Sequence, residues 1–230
     1  MARVALIRKK DDRLPTVTRI AEQRRAANRR NVYLDGAFAF GCNLNVVARF
    51  RLREGLALTA EQVAEIQRGE VRQECFDAAI RSLETRLHGR AELKRKLMRK
   101  EFGEAVIDGV LDDLARMEYL DDAKFARAKA ESAAKVKHHG RRRAMAELAR
   151  RGVGRDVADA ALRAVYTQES SLAVATALAE KQAPRLRRLD PTVARRRLVG
   201  MLQRRGFEYD AIKPVVDRAL GRDDDRDPEG

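Results

Sequence analysis

Apolar residues recur at helical spacing in three stretches of the chain that superpose on one another. Aligning Phe102, Val153 and Phe207, at intervals of 51 and 54 residues, brings Leu97, Leu148 and Leu202 together five positions earlier. Leu93, Ala144 and Leu198 coincide nine earlier, and Val110, Ala161 and Val215 eight later. Leu111, Leu162 and Val216 coincide nine later, and Leu114, Val165 and Ala219 twelve later. Agreement at so many helical offsets outweighs any single amphipathic window. It predicts, in each stretch, one helix ending just before the aligned residue and another starting just after it. A further helix precedes each pair, near residues 71–87, 121–136 and 169–183. The pattern describes a mainly α protein of three tandem three-helix repeats, at 71–120, 121–168 and 169–220. Such units bury their apolar stripes on their neighbours, which predicts an elongated, curved stack.

Ahead of the repeats the period changes from helical to alternating. Thr16 to Ile20 reads as a strand, residues 24–30 as a basic loop, and residues 32–40 as two short apolar runs around Asp35-Gly36. That dipeptide is the signal for a two-residue type I′ turn, with Tyr33 facing Phe38 and Val32 facing Ala39. Residues 43–52 look helical, and Thr59 with Gln62 forms a capping box for a helix to about Arg68. Residues 15–70 are therefore expected to form a small α+β module with a β-hairpin. Residues 1–14 form a flexible tail and 221–230 a disordered acidic one.

Within the second repeat, Gly140 to Val153 reads as a short helix between two glycines. Ala144 and Leu148 face inward, while Arg143 and Arg150, two turns apart, share a face. Gly152 stands where a helix ends in a left-handed residue. Pro184 and Pro191 bracket a break in the third repeat. Pro214 implies either a late start near Asp210 or a kink.

Charge follows the same register. Arg99-Lys100, Arg150-Arg151 and Arg204-Arg205 stand three and two positions before the aligned residue. Arg141-Arg142-Arg143 and Arg195-Arg196-Arg197 stand twelve to ten before it. The first repeat carries Lys94-Arg95-Lys96 instead, and Lys135 and Lys137 lead into the second. One cluster is an ordinary solvated helix face, but clusters at repeated offsets build a ridge. The formal net charge of +14 and pI of about 10.3 suggest a polyanionic partner. It is unevenly spread: residues 1–70 carry +6, 71–120 none, 121–168 +6 and 169–230 +2.

No catalytic, cofactor or metal set emerges from the residues. There is no Gly-rich phosphate loop, and His88, His138 and His139 lack ligand spacing and read as surface residues near basic loops. Asp121-Asp122 reads as a helix start, with Asp121 as N-cap and a Leu120–Phe125 staple. Cys42 and Cys75 make no disulfide framework, and no stretch has the length of a signal peptide core or a membrane span. The expectation is a monomeric cytoplasmic protein.

These motifs resemble the RecX family, bacterial regulators of the RecA recombinase. The resemblance rests on Ala91-Glu92-Leu93-Lys94-Arg95-Lys96-Leu97, Val106-Ile107-Asp108-Gly109-Val110-Leu111, Tyr119-Leu120-Asp121-Asp122 with Phe125-Ala126, and Gly140-Arg141-Arg142-Arg143 with Glu147-Leu148 and Gly152-Val153. With the threefold register it covers about residues 71–220, and the 31–41 hairpin resembles the N-terminal extension of some members. Glu101 and Glu118 stand where the family usually has glycine, which implies strain of about 1 kcal/mol each. Val153 replaces a bulkier residue, and His88-Gly89-Arg90 lacks the usual Ser or Thr cap.

The resemblance implies a non-enzymatic modulator that lies in the groove of a RecA filament on single-stranded DNA and inhibits strand exchange and ATP hydrolysis. It would thereby regulate recombination, DNA repair and the SOS response. It also implies direct binding to single-stranded DNA, with double-stranded DNA as a further ligand. The basic residues at repeated offsets are the candidate contacts. The competing reading is a helical-repeat protein that coats nucleic acid without sequence preference or a recombinase partner. A low aromatic content argues against a base-stacking reader.

Overall fold

A computed structural model of the chain describes residues 13–24 and 26–221. Residues 1–12 and 222–230, with most of both expected tails, lie outside the described residues. The chain divides into two compact units, one of the residues up to Thr85 with Lys94–Asp113, the other of Arg86–Leu93 with the residues from Leu114 on.

The first unit begins with an antiparallel sheet in the order β1 (Val17–Gln23), β2 (Ala26–Leu34), β3 (Ala37–Asn43). Asp35 and Gly36 both take positive φ, 49° and 83°, as a type I′ turn requires. Tyr33 pairs with Phe38 as expected, but a bulge next to Val32 sets that residue against Phe40 rather than Ala39. The expected loop at 24–30 is mostly strand, because β2 already starts at Ala26. Val32, Phe40 and Cys42 are buried with Val46 of α1 (Leu44–Arg49) and Val63 and Ile66 of α2 (Ala60–Thr85).

The capping box at the start of α2 is reciprocal. Gln62 N–H donates to Thr59 Oγ1 at 3.2 Å, and Thr59 N–H donates to Gln62 Oε1 at 2.8 Å. The helix does not end near Arg68 but runs on to Thr85, so position 70 lies in mid-helix. Gly69 sits inside it for a packing reason: a Cβ there would lie 2.7 Å from the Phe50 ring. Cys42 and Cys75 are free, and burial pushes both thiols up to about 11.

Next come α3 (Arg90–Met98) and α4 (Glu104–Arg116), and the division between the units falls within both. The second unit adds α5 (Asp122–Lys135), α6 (Arg141–Arg151) and α7 (Arg155–Val165). It ends with α8 (Gln168–Leu186), α9 (Pro191–Arg204) and α10 (Tyr209–Leu220). The residues at the matched offsets −9, −5, +8 and +9 are buried in all three repeats. The second and third repeats each close their own core, around Phe125, Leu148 and Leu162 and around Leu198, Leu202 and Ile212.

Asp121 is the N-cap of α5 and accepts from Lys124 N–H at 2.9 Å, with Leu120 and Phe125 buried beside it. The break in the third repeat falls between Pro184 and Pro191 as expected: α8 ends at Leu186, with Pro184 in its last turn, and Pro191 is the first residue of α9. Pro214 is accommodated by a start at Tyr209, which leaves it inside α10, beyond the first turn.

The second helices of successive repeats meet end to end. Gly152, past the end of α6, approaches the first turn of α3 so closely that a Cβ would lie 2.4 Å from Ala91 Cβ. Gly206, past the end of α9, does the same on α6, where a Cβ would lie 2.5 Å from Arg143 N. Both take positive φ, 83° and 86°. Glu101 and Glu118 are also left-handed, at 64° and 59°, where the resemblance placed strain. Glu101, the counterpart of the two junction glycines, is exposed, so its side chain meets no such approach.

Candidate polyanion-binding surface

Three arginines in the first turn of α6 oppose the helix dipole, whose positive end favours anions. The neighbouring helix compensates. Gly140 N–H donates to Arg205 O at 2.8 Å and Arg142 N–H to Gly206 O at 3.2 Å, so the carbonyl end of α9 meets the amide end of α6.

Around this junction the ten arginines at repeated offsets of the second and third repeats separate by role. At the outermost offset Arg141 is held by Asp159 at 2.7 Å and Arg195 by Asp217, each tying the second helix of its repeat to the third. At the innermost offset both side chains reach the preceding repeat. Arg151 contacts Glu92 at 3.3 Å and Glu147 at 3.5 Å, and Arg205 donates to Lys137 O at 2.7 Å. The remaining offsets hold Arg142, Arg143 and Arg150 on α6, and Arg196, Arg197 and Arg204 on α9. All six are exposed.

The head-to-tail junction brings two of these residues together, since Arg143 Nη1 donates to the backbone carbonyl of Arg204 at 3.1 Å. From there Arg150 lies about 10 Å along α6, and Arg197 about 10 Å along α9, at ~1.5 Å per residue. Phosphates of an extended strand could be met in succession along such a row.

The other candidates sit differently. Lys94 is bound by Glu104 and Asp108, both at 2.8 Å, and Lys137 by Glu147 at 2.6 Å. Lys96 is half-buried, while Arg95, Arg99, Lys100 and Lys135 are exposed. Among the described residues no group of three or more His, Cys, Asp or Glu could hold a metal ion.

The charged cluster where the first and second repeats meet has no counterpart in the expectations from sequence. His88 and His139 are not surface residues: His88 is buried and the His139 side chain is 13% exposed. Both stand fourteen positions before the aligned residue, a regularity that could have revealed them. His88 lies 3.4 Å from Glu92, and His139 3.8 Å from Glu147. Arg86 reaches Glu92 at 2.8 Å, while Arg151 links the two carboxylates.

The Arg86 hydrogen bond holds Glu92 below the usual carboxylate range. Burial raises Glu147, but the Lys137 bond and the charges of Lys137 and Arg151 outweigh it and keep that carboxyl low. Burial, then the charges of Arg143, Lys137 and Arg205, lowers His139 despite the opposing Glu147. In all three the unfolded chain takes up protons more readily than the folded one, so stability falls with acidification. The histidine part sets in below its ordinary value of 6.5, the carboxylate part below 4.5. Urea unfolding across pH should show the midpoint falling in two stages, and His139→Gln should flatten the first. A midpoint level from about pH 7 to 5 would contradict this assignment.

The same chain matches four family descriptions in order: the regulatory protein RecX N-terminal domain at residues 15–59, and the first, second and third RecX three-helix domains at 75–114, 121–162 and 168–216. It is 31% identical over 209 residues to the regulatory protein RecX of Leuconostoc mesenteroides, covering 91% of this chain and 78% of that one. It is 29% identical over 216 residues to that of Bacillus subtilis, covering 94% and 81%. In fold it is similar to a crystal structure of regulatory protein RecX, with a TM-score of 0.78 at 24% identity over 89% of this chain and 100% of that one. RecX from Lactobacillus salivarius has the same fold over 66% of this chain and 97% of its own, with a TM-score of 0.62 at 20% identity.

Proposed function

The chain belongs to the RecX family of regulatory proteins, and from that premise we propose that it is a non-enzymatic modulator, mainly an inhibitor, of the RecA recombinase. It acts as a cytoplasmic monomer, lies in the groove of the RecA filament on single-stranded DNA, and restrains recombination, DNA repair and the SOS response. Its contacts are the exposed arginines of α6 and α9.

The observation that carries this reading is the division of the arginines by offset. The outermost and innermost offsets are occupied by side chains that hold the fold together, whereas the three between them leave six guanidinium groups exposed on the two repeats. A helix needs no cluster of cations in its first turn, and local choices of that kind mark function. Guanidinium groups suit both partners, phosphates and carboxylates, because their donors fit planar oxygen pairs.

The test is ATP hydrolysis by RecA on single-stranded DNA, measured with increasing amounts of this protein, alongside sedimentation with RecA filaments and with bare DNA. Inhibition together with binding to filaments is expected. Binding to bare DNA without any effect on RecA would instead favour a nucleic-acid coat.

A further inference from the structure

The exposed face of the N-terminal sheet has a chemistry that packing does not explain. Arg19, Tyr33 and Phe38 lie opposite one another on β1, β2 and β3, in a single row across the three strands. The Tyr33 and Phe38 rings meet edge to face with centroids 5.9 Å apart, and the Arg19 guanidinium lies 5.7 Å from the Tyr33 centroid. Phe38 is 57% exposed, although an apolar core is available on the other face of the same hairpin. The next row holds Ala21, Asn31 and Gly41. There Gln23 Nε2 donates to Asn31 Oδ1 at 2.8 Å, directly over the glycine, whose Cβ would lie 2.8 Å from that nitrogen. Alanine and glycine keep this row low beside the aromatic one.

We propose that this sheet face is a second binding site, for single-stranded nucleic acid, in which bases stack on Phe38 and Tyr33 and the Gln23–Asn31 amides meet base edges. Three features select this occupant. Two aromatic rings fixed against each other on a rigid sheet offer a stacking surface, and every base has a π-face to meet it. A guanidinium plane beside them stacks and binds phosphate equally well. The surrounding segment is strongly basic, since residues 13–53 contain nine arginines, no lysine and two acidic residues. An apolar protein partner would require neither the amide row nor that charge. The chain-wide scarcity of aromatics is no objection, because three of its eleven Phe and Tyr residues fall within positions 33–40. This site is separate from the arginines of α6 and α9, and it stands whether or not RecA is the partner.

The experiment uses the full chain and a fluorescein-labelled oligothymidylate, read by anisotropy over a salt series. Tyr33→Ala with Phe38→Ala should weaken binding by about ten- to a hundredfold, the size of one or two stacked bases, at every salt concentration and with the slope unchanged. The chain has no tryptophan, so Tyr33→Trp supplies a single reporter that keeps the stacking surface. Its emission should be quenched on saturation with oligothymidylate, and its affinity should match that of the unaltered protein. Matching far-ultraviolet circular dichroism and melting shows that the variants are folded. Undiminished oligonucleotide affinity in a folded Tyr33→Ala, Phe38→Ala protein would overturn the proposal. So would indole emission from the Tyr33→Trp protein that saturation leaves unchanged. Loss of RecA-filament binding with full oligonucleotide affinity would also overturn it, by assigning the face to a protein. If the Tyr33→Ala, Phe38→Ala protein does not fold, the tryptophan reporter decides alone.

Discussion

Replacing Gly206 by alanine is expected to lower the stability of the repeats by about 2–5 kcal/mol. About 1–2 kcal/mol of this comes from forcing a side chain into the left-handed region. A further ~1–3 kcal/mol comes from overpacking, because the new methyl would lie 2.5 Å from Arg143 N and 2.6 Å from Arg143 Cβ. Backbone at a helix start cannot swing aside as the end of a long side chain can. Two controls separate these effects. Gly36→Ala has a similar φ of 83° but open space around it, so it should show the backbone cost alone. Gly103→Ala has neither constraint and should be nearly neutral. Denaturant unfolding of the three variants checks this, and a Gly206→Ala penalty no larger than that of Gly36→Ala would mean that the end-to-end packing is loose.

The second large effect concerns binding. Changing Arg142, Arg196, Arg197 and Arg204 together to alanine should reduce affinity for single-stranded DNA by about 10²–10³-fold near 50 mM salt. It should also reduce the slope of log K against log salt by about 3, at ~0.7 for each phosphate that no longer has a cationic partner. All four side chains are exposed and alanine favours helix, so the melting temperature should hardly move. Arg151→Ala should behave in the opposite way. It removes the link between Glu92 and Glu147 and so costs stability, while the salt slope stays near that of the unaltered protein. An unchanged slope in the folded quadruple variant would remove α6 and α9 from the binding surface.

The apolar register was legible in the sequence because burial acts on every repeat in the same way. Leu97, Leu148 and Leu202 must each face a core, and three copies of one constraint reinforce one another. Neighbouring residues in the strands were less legible. The Tyr33–Phe38 pair follows from the turn alone, but one bulged residue moves Val32 from Ala39 to Phe40. One helix end was misplaced where tertiary packing overrides local preference. Gly69 continues α2 under the Phe50 ring, so the helix expected to end near Arg68 runs on to Thr85.

The arginines were legible as a cluster but not as individuals. Whether a guanidinium faces solvent or an aspartate eighteen or twenty-two residues away depends on the third dimension. Thus Arg141 and Arg142 look alike in the sequence, though only Arg141 is tied to a carboxylate, Asp159. His88 and His139 were misplaced for the same reason, since the carboxylates beside them come into place through packing of the helices, whereas His138 is exposed as expected.

The end-to-end junctions also make each repeat lean on the one that follows it. The first amides of α3 and α6 find acceptors on the repeat that follows them: Arg90 N–H donates to Asp122 Oδ1 at 2.7 Å, Gly140 N–H to the carbonyl of Arg205, the C-cap of α9, and Arg142 N–H to that of Gly206 just beyond it. Of the three central helices it is α9 that closes its own start, with Asp190 Oδ1 accepting from Thr192 and Val193 N–H at 2.9 and 3.1 Å. In a repeat standing alone the first amides of α3 and α6 would be met by water instead of by a protein acceptor. The third repeat caps its central helix from within itself, whereas the first and second borrow acceptors from the repeat after them. Without the third repeat, the Gly140 and Arg142 amides would have only water as acceptor, so the second repeat gains part of its order from the one that follows it.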